Sequence, residues 1–197
     1  MIKIHFKEYG LEIPSYVYLP SDDTYLLLDV LREELKSNSY RKSLEIGAGN
    51  GILSLELLEY SKNHLASDIN PIVIKYLIKL KERFNLKNFE IIESDLFKNV
   101  NKQKFDLIVF NPPYVVSDDI VDCSTDGGKI GSEIILRFIC ELKEYLGKKG
   151  VCYLLISSLN KPNEIYNLIK KKQLKCEIIK KTNIFFEELL VLKITNK

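Results

Sequence analysis

The sequence lacks most of the features that decide a function at sight. Its four cysteines, Cys123, Cys140, Cys152 and Cys176, contain no C-x-x-C pair. That spacing argues against a zinc site and, in a chain of 197 residues, against a disulfide framework. No metal-ligand set is therefore expected, and the cysteines read as reduced thiols in a cytoplasmic protein. No run approaches the roughly 18 apolar residues that span a bilayer. The first ten residues, MIKIHFKEYG, carry charge every few positions, unlike the apolar core of a secretion signal. No membrane association is expected. An excess of one charge is missing too. The 29 basic and 27 acidic residues leave a net +2, too little by itself to imply a nucleic-acid or membrane surface. There is no internal repeat and no low-complexity linker. Of the two histidines, His64 opens a strand pattern and His5 lies in a segment without site candidates, so neither is expected to be catalytic.

What is present is an ordinary globular balance, 46% hydrophobic and 28% charged, at a length that supports one sizeable core. Apolar periodicity alternates along the chain. DTYLLLDVLREEL has helical spacing, with Asp22 or Asp23 as the expected cap. SLEIG reads as a strand, NGILSLELLEYS as a helix, HLASDI as a strand, and NPIVIKYLIKLKERF as a helix with Pro71 in its first turn. FEIIES and the nearly all-apolar FDLIVF are strands. The latter has the composition of a central parallel strand buried on both faces. After a long loop come the helix SEIILRFICELKEYL, the strand GVCYLLIS, the helix PNEIYNLIKKK and the strands LKCEIIKK and FFEELLVLKIT. Strand and helix alternating at this spacing predict an α/β fold, a doubly wound parallel sheet. The short connection between the last two strands predicts an antiparallel hairpin at one edge.

Four short stretches carry the chemistry. EIGAGNG, Glu45 to Gly51, follows a strand and opens a helix. Its glycines permit either a tight structural turn or the close approach of a nucleotide-type ligand. It is one residue shorter than the G-x-G-x-x-G of dinucleotide enzymes. SDIN places Asp68 at the end of the second strand of the series, where an acid either accepts from both hydroxyls of a ribose or caps the next helix. SDLF places Asp95 after the third strand, as a turn residue or as an acceptor for an adenine amino group. VFNPPY places Asn111 directly after the fourth. Two prolines make this segment stiff, and since proline has no N–H, it presents carbonyl oxygens. It reads as a rigid turn, or as a clamp in which the Asn111 side-chain oxygen and the Pro112 carbonyl accept both hydrogens of a planar NH2 group while Tyr114 stacks on it. The favoured reading is the clamp, because all four stretches fall at the carboxyl ends of successive strands, where open α/β sheets bind ligands.

Taken together, these stretches resemble the class I methyltransferases that use S-adenosylmethionine and carry an N-P-P-Y motif. Within that group the chain is most similar to the HemK/PrmC-type glutamine methyltransferases of translation release factors, in their short archaeal and eukaryotic form. VYLPSDDTYLLLDVL, DGGKIGSEI and EELLVLKI add to the resemblance, which runs from about Val17 to Ile194. It implies a Rossmann-like class I methyltransferase fold with a seven-stranded, mostly parallel sheet. It implies a single methyltransferase domain over residues 1–197, with an N-terminal segment and helix over 1–40 and the core over 41–197. Carried over by position, Thr24, Glu45, Gly47, Gly49, Asp68, Asp95, Leu96 and Asn111 would hold S-adenosyl-L-methionine. Asn111, Pro112 and Tyr114 would be catalytic, and Asn111, Pro112, Pro113 and Tyr114 would bind the substrate amide. Ser21 and Asp22 stand where the family has Ala and Glu.

The resemblance further implies a class I release factor as substrate, methylated on the glutamine of its Gly-Gly-Gln loop. It implies a heterodimer with a small zinc-ribbon activator along the edge strand FEIIES. The Gly127–Gly128 and Gly131 loop reads either as a helix-start turn or as a wall of the substrate pocket. The alternative reading is methylation of an exocyclic base amine in RNA or DNA, which offers N-P-P-Y the same planar NH2.

Overall fold

In the computed structural model, residues 1–114, 131–184 and 186–197 are described. Seven strands form one sheet in the order β5-β4-β3-β6-β7-β9-β8. They are β3 (Tyr40–Ile46), β4 (Ser61–Asp68), β5 (Phe89–Glu93), β6 (Phe105–Phe110), β7 (Leu146–Ser157), β8 (Leu174–Ile184) and β9 (Glu187–Asn196). β5, β4, β3, β6 and β7 run parallel. β9 runs antiparallel to both β7 and β8, so the expected closing hairpin is present, with β9 seated inside β8. Helices α1 (Asp22–Leu35), α2 (Ile52–Tyr60) and α3 (Pro71–Arg83) pack on one face, and α4 (Glu133–Tyr145) and α5 (Pro162–Lys171) on the other.

The pleat of β6 shows why its all-apolar sequence is needed. Leu107 and Val109 enter the core under α1–α3, whereas Ile108 and Phe110 enter the core under α4 and α5. The chain lays down β3, β4 and β5 in one direction, then returns to place β6 and β7 on the other side of β3. The strand order therefore reverses at the β3–β6 boundary, and that reversal opens a crevice at the carboxyl ends. This is the doubly wound, Rossmann-like arrangement that the resemblance implies.

Two local features depart from the sequence reading. The cap of α1 is Ser21, not Asp22 or Asp23. Those two acids occupy the first turn, where negative charge faces the positive helix end. An N-terminal hairpin, β1 (Ile2–Phe6) with β2 (Tyr9–Ile13), was not expected at all. Its two-residue turn has no Asn-Gly or Asp-Gly signal. Instead Lys7 adopts a left-handed φ of 50°, a conformation costing an L-residue about 1–2 kcal/mol. Two ion pairs offset the cost, from Lys7 Nζ to Glu56 at 2.9 Å and to Glu59 at 2.6 Å. Glu56 is buried and also meets Arg32 at 3.1 Å, so this one carboxylate ties the hairpin to α1 and α2. Phe6, Leu11 and Ile13 are buried beneath it. No helix among the described residues is long and apolar enough to cross a membrane.

Candidate functional site

A cavity of about 410 Å3 opens at the strand-order reversal. Thr24, Glu45, Gly47, Gly49, Asp68, Asp95, Leu96, Asn111, Pro112, Pro113 and Tyr114, the residues singled out in the sequence, all line it. Tyr16, Tyr18, Asp23, Asn70 and Arg137 also line it, and none of these was anticipated as a site residue. Gly127 and Gly128 lie outside the described residues.

One wall is the turn after β3. Gly47, Gly49 and Gly51 have φ of +66°, +48° and +78°. At Gly47 a Cβ would stand 3.3 Å from the Phe110 ring, and at Gly51 it would stand 2.8 Å from Leu77 Cδ2. Gly51 is thus a packing glycine between the start of α2 and α3, while Gly47 keeps the cavity floor open beside β6. Asp68, at the end of β4, bridges this turn to the next. Its Oδ2 accepts from Gly49 N–H at 2.9 Å, and its Oδ1 accepts from Asn70 N–H at 2.9 Å. Burial raises its carboxyl above the usual range, and those backbone donors pull it back. The helix cap itself is Asn70, whose side chain accepts from Ile72 N–H at 2.9 Å. Asp68 is therefore left to the cavity.

Beneath that wall lies a buried polar chain. The Ser54 hydroxyl donates to Glu45 Oε2. His64 Nε2 lies 3.1 Å from Ser54 Oγ, and Ser43 Oγ lies 2.8 Å from His64 Nδ1. All four side chains are buried. Burial pushes the Glu45 carboxyl up to about 8 and the His64 imidazole down to about 3. His64 is accordingly a neutral internal group. The floor continues with Leu96, a non-glycine residue at φ +50°. Ser94 fixes it, donating to Leu96 C=O at 2.8 Å while accepting from Asn99 N–H at 3.0 Å. Beside it the Asp95 carboxylate is paired with Arg137 of α4 at 2.7 Å.

The opposite wall is N-P-P-Y. Asn111 Nδ2 donates to Asp23 Oδ2 at 3.1 Å. Asp23 is buried and also accepts from Tyr18 O–H at 3.1 Å and from Thr24 N–H at 2.6 Å. A carboxylate here only accepts, so it turns the amide NH2 of Asn111 toward itself and the amide oxygen away. That oxygen, Asn111 Oδ1, is buried and has no hydrogen-bond partner among the described residues. A buried acceptor without a donor is uncommon enough to require a reason. Burial raises the phenol of Tyr114 far above its ordinary value, with the charge of Asp23 adding to the shift, so Tyr114 stays neutral. The same two causes raise Tyr18. Asn50 ties the walls together, donating through Nδ2 to Tyr18 C=O at 3.2 Å.

Among the described residues no cluster of His, Cys, Asp and Glu could hold a metal ion. What the cavity offers is an acidic acceptor braced by backbone donors, a glycine floor, an apolar lining and an orphan amide oxygen.

Known proteins resemble this chain over nearly all of its length. The methyltransferase small domain matches residues 22–186. A Methanocaldococcus jannaschii protein provisionally named protein N5-glutamine methyltransferase is 40% identical over 189 residues, covering 92% of this chain and 93% of that protein. Human methyltransferase HEMK2 is 31% identical, covering 92% of this chain and 90% of that protein. Among solved structures, the E. cuniculi Mtq2–Trm112 complex, responsible for methylation of the eRF1 translation termination factor, contains a chain with a TM-score of 0.75 and 26% identity. The match covers 92% of this chain and 99% of that one. With the crevice, the glycine turn and the N-P-P-Y wall in place, the chain belongs to the methyltransferase small domain family.

Proposed function

We propose that this chain methylates the side-chain nitrogen of the glutamine in the Gly-Gly-Gln motif of a class I translation release factor, using S-adenosylmethionine. The observation that carries the reading is the buried Asn111 Oδ1, without a partner among the described residues and aimed by Asp23. The residues suit the cofactor. Asp68 has lone pairs left for the hydroxyls of a ribose, Gly47 and Gly49 leave room for a ligand at the backbone, and the Leu96 turn presents a floor to a flat base. When bound, S-adenosylmethionine supplies an electrophilic methyl group.

An amide nitrogen is a poor nucleophile because its lone pair is delocalised into the carbonyl. Asn111 Oδ1 and the Pro112 carbonyl accept its two N–H groups, one each. This fixes the plane of the amide and stabilises the positive charge that grows on nitrogen as it attacks. Tyr114, a neutral phenol, stacks on that plane and takes no proton. No general base is required before attack, because the nitrogen becomes acidic only as the new N–C bond forms and the methyl's bond to the cofactor sulfur breaks, leaving a neutral thioether; the proton then passes to solvent.

The functional unit is a single domain, and the protein acts in the cytoplasm. Its partner is a small zinc-ribbon protein that pairs along β5. Among the described residues β5 ends the sheet on one side, with Ile91 and Ile92 partly exposed. A free edge of this kind is a natural docking strand.

The test is methyl transfer from labelled S-adenosylmethionine to release factor or to total RNA, with and without a zinc-ribbon partner. Label in release factor is expected, and more of it with the partner. Label confined to RNA would sink the protein-substrate reading and favour a base amine. Equal transfer with and without partner would remove the heterodimer.

A further inference from the structure

Two prolines in succession leave the middle of the N-P-P-Y segment without backbone donors, so carbonyls are prominent among the groups by which the rest of the protein can hold it. One buried side chain does so. Asn160 stands in the turn after β7 and is 0% exposed. Its Nδ2 donates to the carbonyl of Tyr114 at 2.8 Å and to the carbonyl of Gly131 at 2.9 Å. Its Oδ1 accepts from Ser157 N–H at 2.8 Å. Both amide hydrogens are therefore spent on the two carbonyls, and the amide oxygen is fixed to the end of β7. The turn is itself braced. Asn160 N–H donates to Ser157 C=O at 3.0 Å, and Ser158 N–H donates to Glu188 C=O at 2.8 Å. The Ser157 hydroxyl donates to Glu187 at the start of β9. Asn160 thus transmits the position of the sheet, not that of a free loop.

It is placed where position matters most. Asp23 fixes the motif at Asn111, and Asn160 fixes it three residues later at Tyr114. Through Gly131 the same side chain also sets the approach to α4, whose Ile134 and Arg137 line the cavity. Asn160 does not itself line the cavity.

We propose that Asn160 is a positioning residue for methyl transfer. By holding the Tyr114 and Gly131 carbonyls it keeps the Tyr114 ring and the Pro112 carbonyl in register with Asn111 Oδ1. This rests on the reading of Asn111 to Tyr114 as an amide clamp. An isosteric acid tests it. Asn160→Asp keeps the acceptor for Ser157 N–H but puts an oxygen in place of Nδ2 opposite the two carbonyls, so both hydrogen bonds are lost and repulsion replaces them.

The experiment measures kcat and KM for the methyl acceptor, calorimetric affinity for S-adenosylhomocysteine, and melting temperature, for wild type, Asn160→Ala and Asn160→Asp. Misplacement of about 1 Å in a reacting site can cost roughly 100-fold, so kcat is expected to fall by about 10- to 100-fold in both variants. Affinity for S-adenosylhomocysteine is expected to stay at the wild-type value, because Gly47, Asp68 and Leu96 sit on the turn after β3, on β4 and on the turn after β5. Asn160→Asp is also expected to recover activity relative to wild type as pH falls, when the protonated acid regains one donor. If Asn160→Ala does not fold, Asn160→Ser keeps one short donor and carries the same expectation at smaller amplitude.

An unchanged kcat, a parallel loss of kcat and cofactor affinity, or an Asp variant indifferent to pH overturns the proposal. Wild type that labels RNA and not release factor would instead defeat the substrate assignment. The variant-to-wild-type ratio could then still be read on that RNA.

Discussion

The two walls of the cavity solve the same problem in opposite ways. On the glycine wall the key acid is already bonded: Asp68 takes two backbone N–H groups, from Gly49 and Asn70, and keeps its shape without a ligand. On the N-P-P-Y wall the key acceptor, Asn111 Oδ1, is buried and unpaired among the described residues. A pre-satisfied acid binds a ligand that must be held but not altered. An orphan acceptor is unfavourable until a donor arrives, and it therefore rewards the one group that brings N–H to it. Under the proposed function, the glycine wall serves the cofactor and the proline wall the reacting nitrogen.

The most direct way to break this comparison is Asn111→Ala. Loss of one preorganised polar group of this kind typically costs about 100- to 1000-fold in rate, so kcat is expected to fall by that much while S-adenosylhomocysteine affinity is largely kept. A variant methylating at the wild-type rate would mean that the two walls do not differ in the way described. Asp68→Ala is the reciprocal change. A hydrogen bond to a charged group is worth about 1.5–3 kcal/mol, so cofactor affinity is expected to weaken roughly 10- to 100-fold. Calorimetry should show this even in the absence of methyl acceptor. Asp23→Asn sharpens the comparison, since it keeps the size of the residue that aims Asn111 but removes its charge. With a neutral amide opposite, Asn111 loses the cue for its orientation. A kcat loss of about 10-fold is expected, consistent with one charge-assisted bond, with little change in cofactor affinity.

The smallest effect is in stability. Glu45 binds its proton more tightly folded than unfolded, so its contribution to stability is full below about pH 4.5 and is lost as pH rises to about 8. Asp68, also raised, acts in the same sense. His64 is depressed and acts oppositely, contributing above its ordinary 6.5 and losing that contribution as pH falls toward about 3. Between pH 6.5 and 8 the slope therefore belongs mainly to Glu45. Melting temperature should decline across that window in wild type and decline less in Glu45→Gln. Equal slopes would show that Glu45 is not the group responsible.

The sheet was legible because its signal is periodic and local. The all-apolar β6, the glycine turn and the two acids at strand ends each announce themselves within a few residues. The β1–β2 hairpin was hidden because its turn holds Lys7 where Gly or Asn is expected, and the ion pair that stabilises it comes from Glu56, far along the chain. Asp23 was readable only as a cap, since its partner Asn111 stands 88 positions away. Asn160 and Arg137 were silent for the same reason, acting at separations of 46 and 42. An extended sequence shows the residues that touch a ligand through their type and place. It shows poorly the residues that aim them, because aiming is a long-range relation.

The strand order has a consequence for how the protein is made. β9 pairs with β7 on one side and β8 on the other, so β8, synthesised first, has no seat in the sheet until β9 arrives. The turn that grips Tyr114 is bonded to Glu187 and Glu188 at the start of that same strand. A nascent chain that has already produced the glycine turn and N-P-P-Y still lacks the brace for its substrate wall. If Asn160 positions the motif as proposed, the brace of the substrate wall is complete only once β9 (Glu187–Asn196) has joined the sheet, and until then the β7 edge stands open.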